Sequence, residues 1–452
     1  MSKIEQALKA ADETKALEIG FGILKRVAEL FSTQFPGSKA VVVADENTFG
    51  VAGKEVVKIL ASAGIEMEAP FIFSDPELYA EYKYVEILED SLKTHNAIPI
   101  AVGSGTINDL TKLASHLAGR RYLCVATAAS MDGYTAFGAS ITANGAKQTF
   151  SCPAPIACLA DIDIIRQAPP EMTASGYADL FAKVTAGADW ILADSLRVEP
   201  IDKQAWDIVQ NGLHDALFSP KAVSEGDREA IYNLTEGLML GGFAMQWSKS
   251  SRPASGAEHQ FSHLWNMEHH TNEGEQISHG FQVAIGTLSI TALYEVMLNT
   301  PMEDLDIKAC CDAWPTAEEL DKEATEIFRN TDFPKIGEQE TLAKYISKEE
   351  LAGQLQSLKD NWTEIKEKLS KQLVPYNQVK EYLGMVGAPT DPEDIGVSRE
   401  YLKQTFIRAQ YIRRRFTILD VAVRTNMLDR WLDVLFGEKG LWEIKKKTAA
   451  EI

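Results

Sequence analysis

The stretch Ala97-Ile98-Pro99-Ile100-Ala101-Val102-Gly103-Ser104-Gly105-Thr106-Ile107-Asn108-Asp109 starts as an apolar run, breaks at two glycines, and continues to Leu117 with helical spacing. A short continuous apolar run bounded by a turn fits a strand buried on both faces. Glycines where such a strand turns into a helix let backbone N–H groups approach a phosphate, and the helix N-terminus adds partial positive charge. The turn is not Gly-x-Gly-x-x-Gly, because Asn108 holds the third position, and no Lys follows the second glycine as a P-loop requires. A pyrophosphate cradle and a plain tight turn both fit this stretch.

Working outward, residues 15–35 carry apolar positions at helical spacing, closed by Pro36-Gly37. Ala40-Val41-Val42-Val43-Ala44-Asp45 reads as a second buried parallel strand, ending in a carboxylate. Asn47-Thr48 can cap a helix running to Gly64, and residues 66–74 supply another strand. Downstream, residues 122–126 form a strand that leads into Thr127-Ala128-Ala129-Ser130-Met131-Asp132-Gly133-Tyr134-Thr135, and residues 156–160 are a last strand. Strands alternating with helices predict an α/β fold with a parallel sheet covered on both faces, whose ligands sit at the carboxyl ends of the strands. From Pro169-Pro170 the pattern is helical to the end, so the expected division is an α/β domain over 1–167 and a helical domain over 168–452.

The helical part holds the concentrated chemistry. Five of the eight histidines lie in residues 255–280, and His259 and His263 are four apart, on one face of a helix. Neutral imidazole suits a divalent ion, and a catalytic site uses about three protein ligands with one position left open. Histidines bonded to backbone would give the same pattern. Asp179 sits among Ala, Leu and Phe, where an unpaired carboxylate is costly. A helix pair with Lys183 accounts for it, and so does a place beside His259 and His279 as a third metal ligand.

Acidic residues outnumber basic ones 65 to 45, for a net charge of -20, and no basic run is dense enough for a nucleic-acid groove. Arg413-Arg414-Arg415 and Lys445-Lys446-Lys447 read as solvated helix faces. The N-terminus lacks a secretory pattern and no long apolar run suggests a membrane span, so the expectation is a cytoplasmic protein. Five cysteines without Cys-x-x-Cys spacing fit reduced thiols.

Taken in order, Gly103-Ser104-Gly105-Thr106 with Asp109, Ser130-Met131-Asp132-Gly133-Tyr134, residues 176–183, Ser255-Gly256-Ala257-Glu258-His259 and His279-Gly280 resemble the iron-type alcohol dehydrogenase and dehydroquinate synthase superfamily over nearly the whole chain. Within it the chain looks most like the sn-glycerol-1-phosphate dehydrogenases. The resemblance implies a Rossmann-like N-terminal domain and an all-α C-terminal domain, the dehydroquinate synthase-like fold. It implies Asp179, His259 and His279 as ligands of one divalent metal (zinc, nickel or iron), with Asp132 and His263 as catalytic residues. It also implies that Gly103, Ser104, Gly105, Thr106, Asp109, Thr127 and Ser130 hold NAD(H), or NADP(H) less favourably, with Asp45 at the adenosine ribose.

The reaction implied is reversible hydride transfer between nicotinamide C4 and C2 of dihydroxyacetone phosphate, a small phosphorylated ketone, by a homo-oligomer. A polyol dehydrogenase, a dehydroquinate synthase-like lyase and a non-catalytic cofactor-binding protein are the alternatives. Lys147, Lys183, Arg252 and Arg408 are the cations open to the substrate phosphate. One departure from the family pattern is the long gap between His259 and His279, which contains His269 and His270.

Overall fold

Five of the six strands in the main sheet fall where apolar runs place them. The structure, a computed structural model, describes residues 3–143 and 146–445. Its main sheet contains β1 (Ala16–Gly20), β2 (Ala40–Asp45), β3 (Phe71–Phe73), β4 (Ile98–Gly103), β5 (Leu123–Ala126) and β8 (Ala157–Asp161), in the order β1-β8-β5-β4-β2-β3. Every neighbouring pair is parallel. Val42, Ile100, Val102, Leu123, Val125 and Leu159 are fully buried, as continuous apolar strands in such a sheet must be. The strand expected over 66–74 is shorter, and Met67 adds only an isolated bridge to Ala40.

The helical reading of residues 15–35 is corrected. Ala16–Gly20 is the edge strand β1, paired with β8 from Ala16↔Ala157 to Gly20↔Asp161, and the α-helix covers only Val27–Gln34. Its partner lies about 140 residues away, and a pairing at that distance overrides the local helical spacing.

The strand order reverses beside β2. The chain moves outward from β2 to β3 and then returns to the other side of β2 as β4. In an open parallel sheet such a reversal opens a crevice at the carboxyl ends of the two strands. Those ends carry Asp45 on β2 and Gly103 on β4, and Thr127 follows β5, the next strand over, where Gly103 registers with Ala126.

Two further strands were not foreseen. β6 (Ala139–Ala143) and β7 (Ala146–Phe150) form an antiparallel pair, joined to the Gly105–Leu117 helix through Asp109, whose Oδ2 accepts from the Ser140 N–H at 3.1 Å. Lys112, fully buried on that helix, donates to the carbonyls of Gly133, Ala136 and Gly138 at 2.9–3.0 Å. One ammonium thereby satisfies three loop carbonyls and fixes the segment between β5 and β6.

By compactness the chain divides into one unit of Met1–Phe181, Asp202–Ala254 and Met385–Ala388, and another of Ala182–Ile201, Ser255–Gly384 and Pro389–Ile452. The first contains the sheet. The second is helical, as expected, with one small ladder pairing Thr271–Asn272 with Glu275–Gln276. Among the described residues one helix, His279–Leu298, is long and apolar enough to cross a membrane, and 78% of its apolar window is buried inside the protein as core. Residues 413–415 are not on a helix face. Arg414 pairs with Glu340, and Arg415 Nη1 donates to the Ser255 carbonyl at 2.5 Å and hydroxyl at 2.6 Å, pinning the turn before His259. Lys446 and Lys447 lie outside the described residues.

Candidate active site

Asp179, His259 and His279 each present a ligand atom, and these atoms lie within 4.8 Å of one another. Asp179 is fully buried in the Pro170–Ser195 helix, His259 is 6% exposed on the Ala257–Met267 helix, and His279 opens the His279–Leu298 helix. The His259 and His279 rings are 5.3 Å apart between centroids; His263, one turn after His259, is 6.4 Å from it. One carboxylate and two imidazoles form a donor set suited to a divalent ion with an open position.

Both rings are oriented through Nδ1. His259 Nδ1 lies 2.8 Å from Glu258 Oε1, an acceptor, so it carries the proton and Nε2 carries the lone pair. His279 Nδ1 lies 3.1 Å from Ser262 Oγ, which spends its own proton on Gln282 Oε1 at 2.7 Å and so accepts from the ring. The Gln282 amide is set by its exchange with Asn266, whose Nδ2 donates to Gln282 Oε1 at 2.8 Å and whose Oδ1 accepts at 3.3 Å. An imidazole that donates through one nitrogen has its tautomer fixed and offers the other to a metal.

The Ser255-Gly256-Ala257-Glu258-His259 turn is crowded by carboxylates. A Cβ on Gly256 would sit 2.5 Å from Asp189 Oδ2 and 2.9 Å from Glu258 Oε2, so only glycine fits. Asp189 accepts from the Ala257 N–H at 2.8 Å, the Ile418 N–H at 2.9 Å and the Tyr294 hydroxyl at 2.6 Å. Burial and the neighbouring Glu258 push its carboxyl up to about 7 against those three bonds. Burial pushes the Glu258 carboxyl up too, but its bond to His259 and the Gly256 N–H outweigh that and hold it below the ordinary value.

The loop after β5 is pressed against the Asp179 helix. A Cβ on Gly176 would overlap the Ala129 carbonyl oxygen, and this close approach lets the Asp132 N–H donate to Asp179 Oδ2 at 3.0 Å. The Ser130 carbonyl accepts from Ser175 Oγ at 3.4 Å. The Asp132 main chain therefore lies beside Asp179, and the Ser130 carbonyl beside Ser175 on the same helix.

At the switch point, Ser104 caps the Gly105–Leu117 helix in extended conformation without a side-chain cap bond, and Thr127 N–H donates to the Gly103 carbonyl at 3.1 Å. First-turn N–H groups without a side-chain cap suit an anion. Asp109 lies deeper: burial pushes its carboxyl up against Lys112, the Ser140 N–H and Lys147. Asp45 Oδ1 accepts from the Thr48 N–H at 2.8 Å and Thr48 Oγ1 accepts from the Asp45 N–H at 3.2 Å, a capping box in which Asp45 caps the turn through Thr48.

His269 and His270 face elsewhere. His269 Nε2 is 3.1 Å from Asp332 Oδ2, and His270 Nε2 is 2.8 Å from the Ile395 carbonyl. Sequence reading missed Glu258, Ser262, Gln282 and Lys112. Only Glu258, adjacent to His259, carried a local signal.

Residues 18–169 match the model of a family described as iron-containing alcohol dehydrogenase. A glycerol-1-phosphate dehydrogenase [NAD(P)+] of Pyrococcus furiosus is 34% identical over 57% of this chain and 72% of its own length. The chain belongs to the iron-containing alcohol dehydrogenase family. A relative of the same name from Halalkalibacterium halodurans is 36% identical over 56% of this chain, and the match spans 64% of that relative, just under two thirds. Among solved structures, a probable glycerol dehydrogenase of Sinorhizobium meliloti has a TM-score of 0.59 at 16% identity, covering 93% of this chain and 97% of its own. That likeness is one of fold.

Proposed function

We propose that this chain is a metal-dependent NAD(P)H dehydrogenase that reversibly reduces dihydroxyacetone phosphate to sn-glycerol 1-phosphate. The observation carrying this reading is the convergence of Asp179, His259 and His279. The names of the relatives supply the substrate. A divalent ion (zinc, nickel or iron) would be held by Asp179 and the two Nε2 atoms. When bound, it supplies a Lewis acid that eases the negative charge developing on the substrate oxygen.

The remaining roles belong to the chain. N–H groups at Gly103, Ser104, Gly105 and Thr106 receive the pyrophosphate, with Thr127 and Ser130 in the loop after the next strand and Asp109 supporting the turn from below. Asp132 faces the substrate hydroxyls, and His263 stands by the reacting carbon, where an imidazole can pass the hydroxyl proton. The substrate phosphate calls for a cation. Of the four considered, Arg408 is paired with Glu268 and stacked on Phe328, while Lys183 and Arg252 are buried at 0% and 2% exposure. Lys147 is partly exposed and within electrostatic reach of Asp109 and Asp179. We assign it the phosphate.

Asp45, at the end of β2, would bond the ribose hydroxyls of NAD(H) and repel a 2'-phosphate, which disfavours NADP(H) by about 1–3 kcal/mol. A kcat/KM for NADPH equal to that for NADH would remove this role. The chain is taken to work as a cytoplasmic homo-oligomer, an assembly that sedimentation at micromolar concentration decides.

The test of the whole reading is NADH oxidation by the purified chain with dihydroxyacetone phosphate, run beside NAD reduction with glycerol. A kcat/KM at least about a hundredfold higher for the phosphorylated ketone than for glycerol is expected. Faster glycerol oxidation would make the chain a polyol dehydrogenase, and no net NADH change with either substrate would refute a dehydrogenase.

A further inference from the structure

We infer that Glu258 is a positioning residue that fixes His259 in its Nδ1–H tautomer and strengthens Nε2 as a metal ligand. The inference rests on the reading of Asp179, His259 and His279 as one metal site. Glu258 is fully buried, yet each oxygen is satisfied: Oε1 accepts from the Gly256 N–H at 2.5 Å and His259 Nδ1 at 2.8 Å, and Oε2 accepts from Thr185 Oγ1 at 2.9 Å. A buried carboxylate held by three donors sets the plane of the ring it accepts from. The backbone is held to the same end. A Cβ on Gly286 would press on the Glu258 carbonyl, so the His279–Leu298 helix packs directly on the Glu258 backbone.

The two imidazoles are thus held by unlike partners. Nδ1 of His279 meets a hydroxyl, whereas Nδ1 of His259 meets a carboxylate oxygen that also accepts from the Gly256 N–H. Partial negative charge passed to a ring through Nδ1–H makes Nε2 more basic, and losing such a partner typically weakens metal binding about 10–100-fold. His259 is therefore the stronger donor of the pair, and Glu258 is the cause.

The test is zinc affinity of the full chain, measured by competition with a chromophoric chelator, for wild type, Glu258→Gln, Glu258→Leu and Thr185→Val. Glutamine keeps an acceptor for His259 and loses the charge, so about tenfold weaker zinc binding is expected, with leucine weaker still by about another tenfold. With Co2+ in place of zinc, the visible band of Glu258→Gln should shift, which a packing role alone would not produce. Zinc affinities of Glu258→Gln and Thr185→Val both within twofold of wild type would overturn the inference. Should the Glu258 variants not fold by circular dichroism, Thr185→Val decides: threefold or greater loss supports the role, and no change refutes it. Zinc binding in His279→Ala equal to wild type would instead bring down the metal site itself, whatever Glu258 does.

Discussion

The Asp132 main-chain N–H donates to Asp179 Oδ2 at 3.0 Å, joining the loop after β5 to the helix that carries the buried carboxylate. The bond exists because Gly176, three residues before Asp179, lets the helix lie against the Ala129 carbonyl. Gly176→Ala should therefore push loop and helix apart, at a cost of about 1–3 kcal/mol or more. The expected outcome is a lower melting temperature together with reduced bound metal. An unchanged melting temperature would mean that this close approach does not exist in solution.

The sheet was legible because buried parallel strands announce themselves as continuous apolar runs, as at residues 40–45 and 98–103. β1 was not, since Ala16–Gly20 becomes a strand only by pairing with β8 far along the chain. The candidate ligands stood out by type: histidines clustered at residues 259–279, and Asp179 set among Ala, Leu and Phe. Their supports did not. Ser262, Gln282 and Lys112 are ordinary residues at ordinary positions, and their roles arise only from what folding brings beside them.

Asp189 gives the fold a pH dependence of defined sign. Its folded carboxyl is pushed up to about 7 by burial and Glu258, whereas an unfolded Asp titrates near ~3.9. Between those values the folded chain keeps a proton that the unfolded chain releases. Stability from this group is full below about pH 4 and falls as pH rises towards 7, by on the order of a few kcal/mol. Asp189→Asn removes that slope. Urea midpoints at pH 5 and pH 7.5 should show the wild-type advantage over the variant shrinking at the higher pH, and a pH-independent difference would contradict it.

Lys147 should matter for the phosphate and little else. Charge-assisted hydrogen bonds contribute about 1.5–3 kcal/mol, so Lys147→Met should raise the KM for dihydroxyacetone phosphate by roughly tenfold to a hundredfold. Any slow oxidation of unphosphorylated glycerol should be unaffected. A variant with unchanged KM would move the phosphate site elsewhere.

The central claim is that Asp179, His259 and His279 together hold one divalent ion, and it is tested most directly by metal content. Elemental analysis of the purified chain should find about one ion per chain in wild type, because a three-ligand site with an open position is the usual catalytic arrangement. Folded Asp179→Ala or His259→Ala protein should retain less than about a tenth of it, since two ligands do not hold the ion in an open site. Full occupancy in either variant would contradict the account.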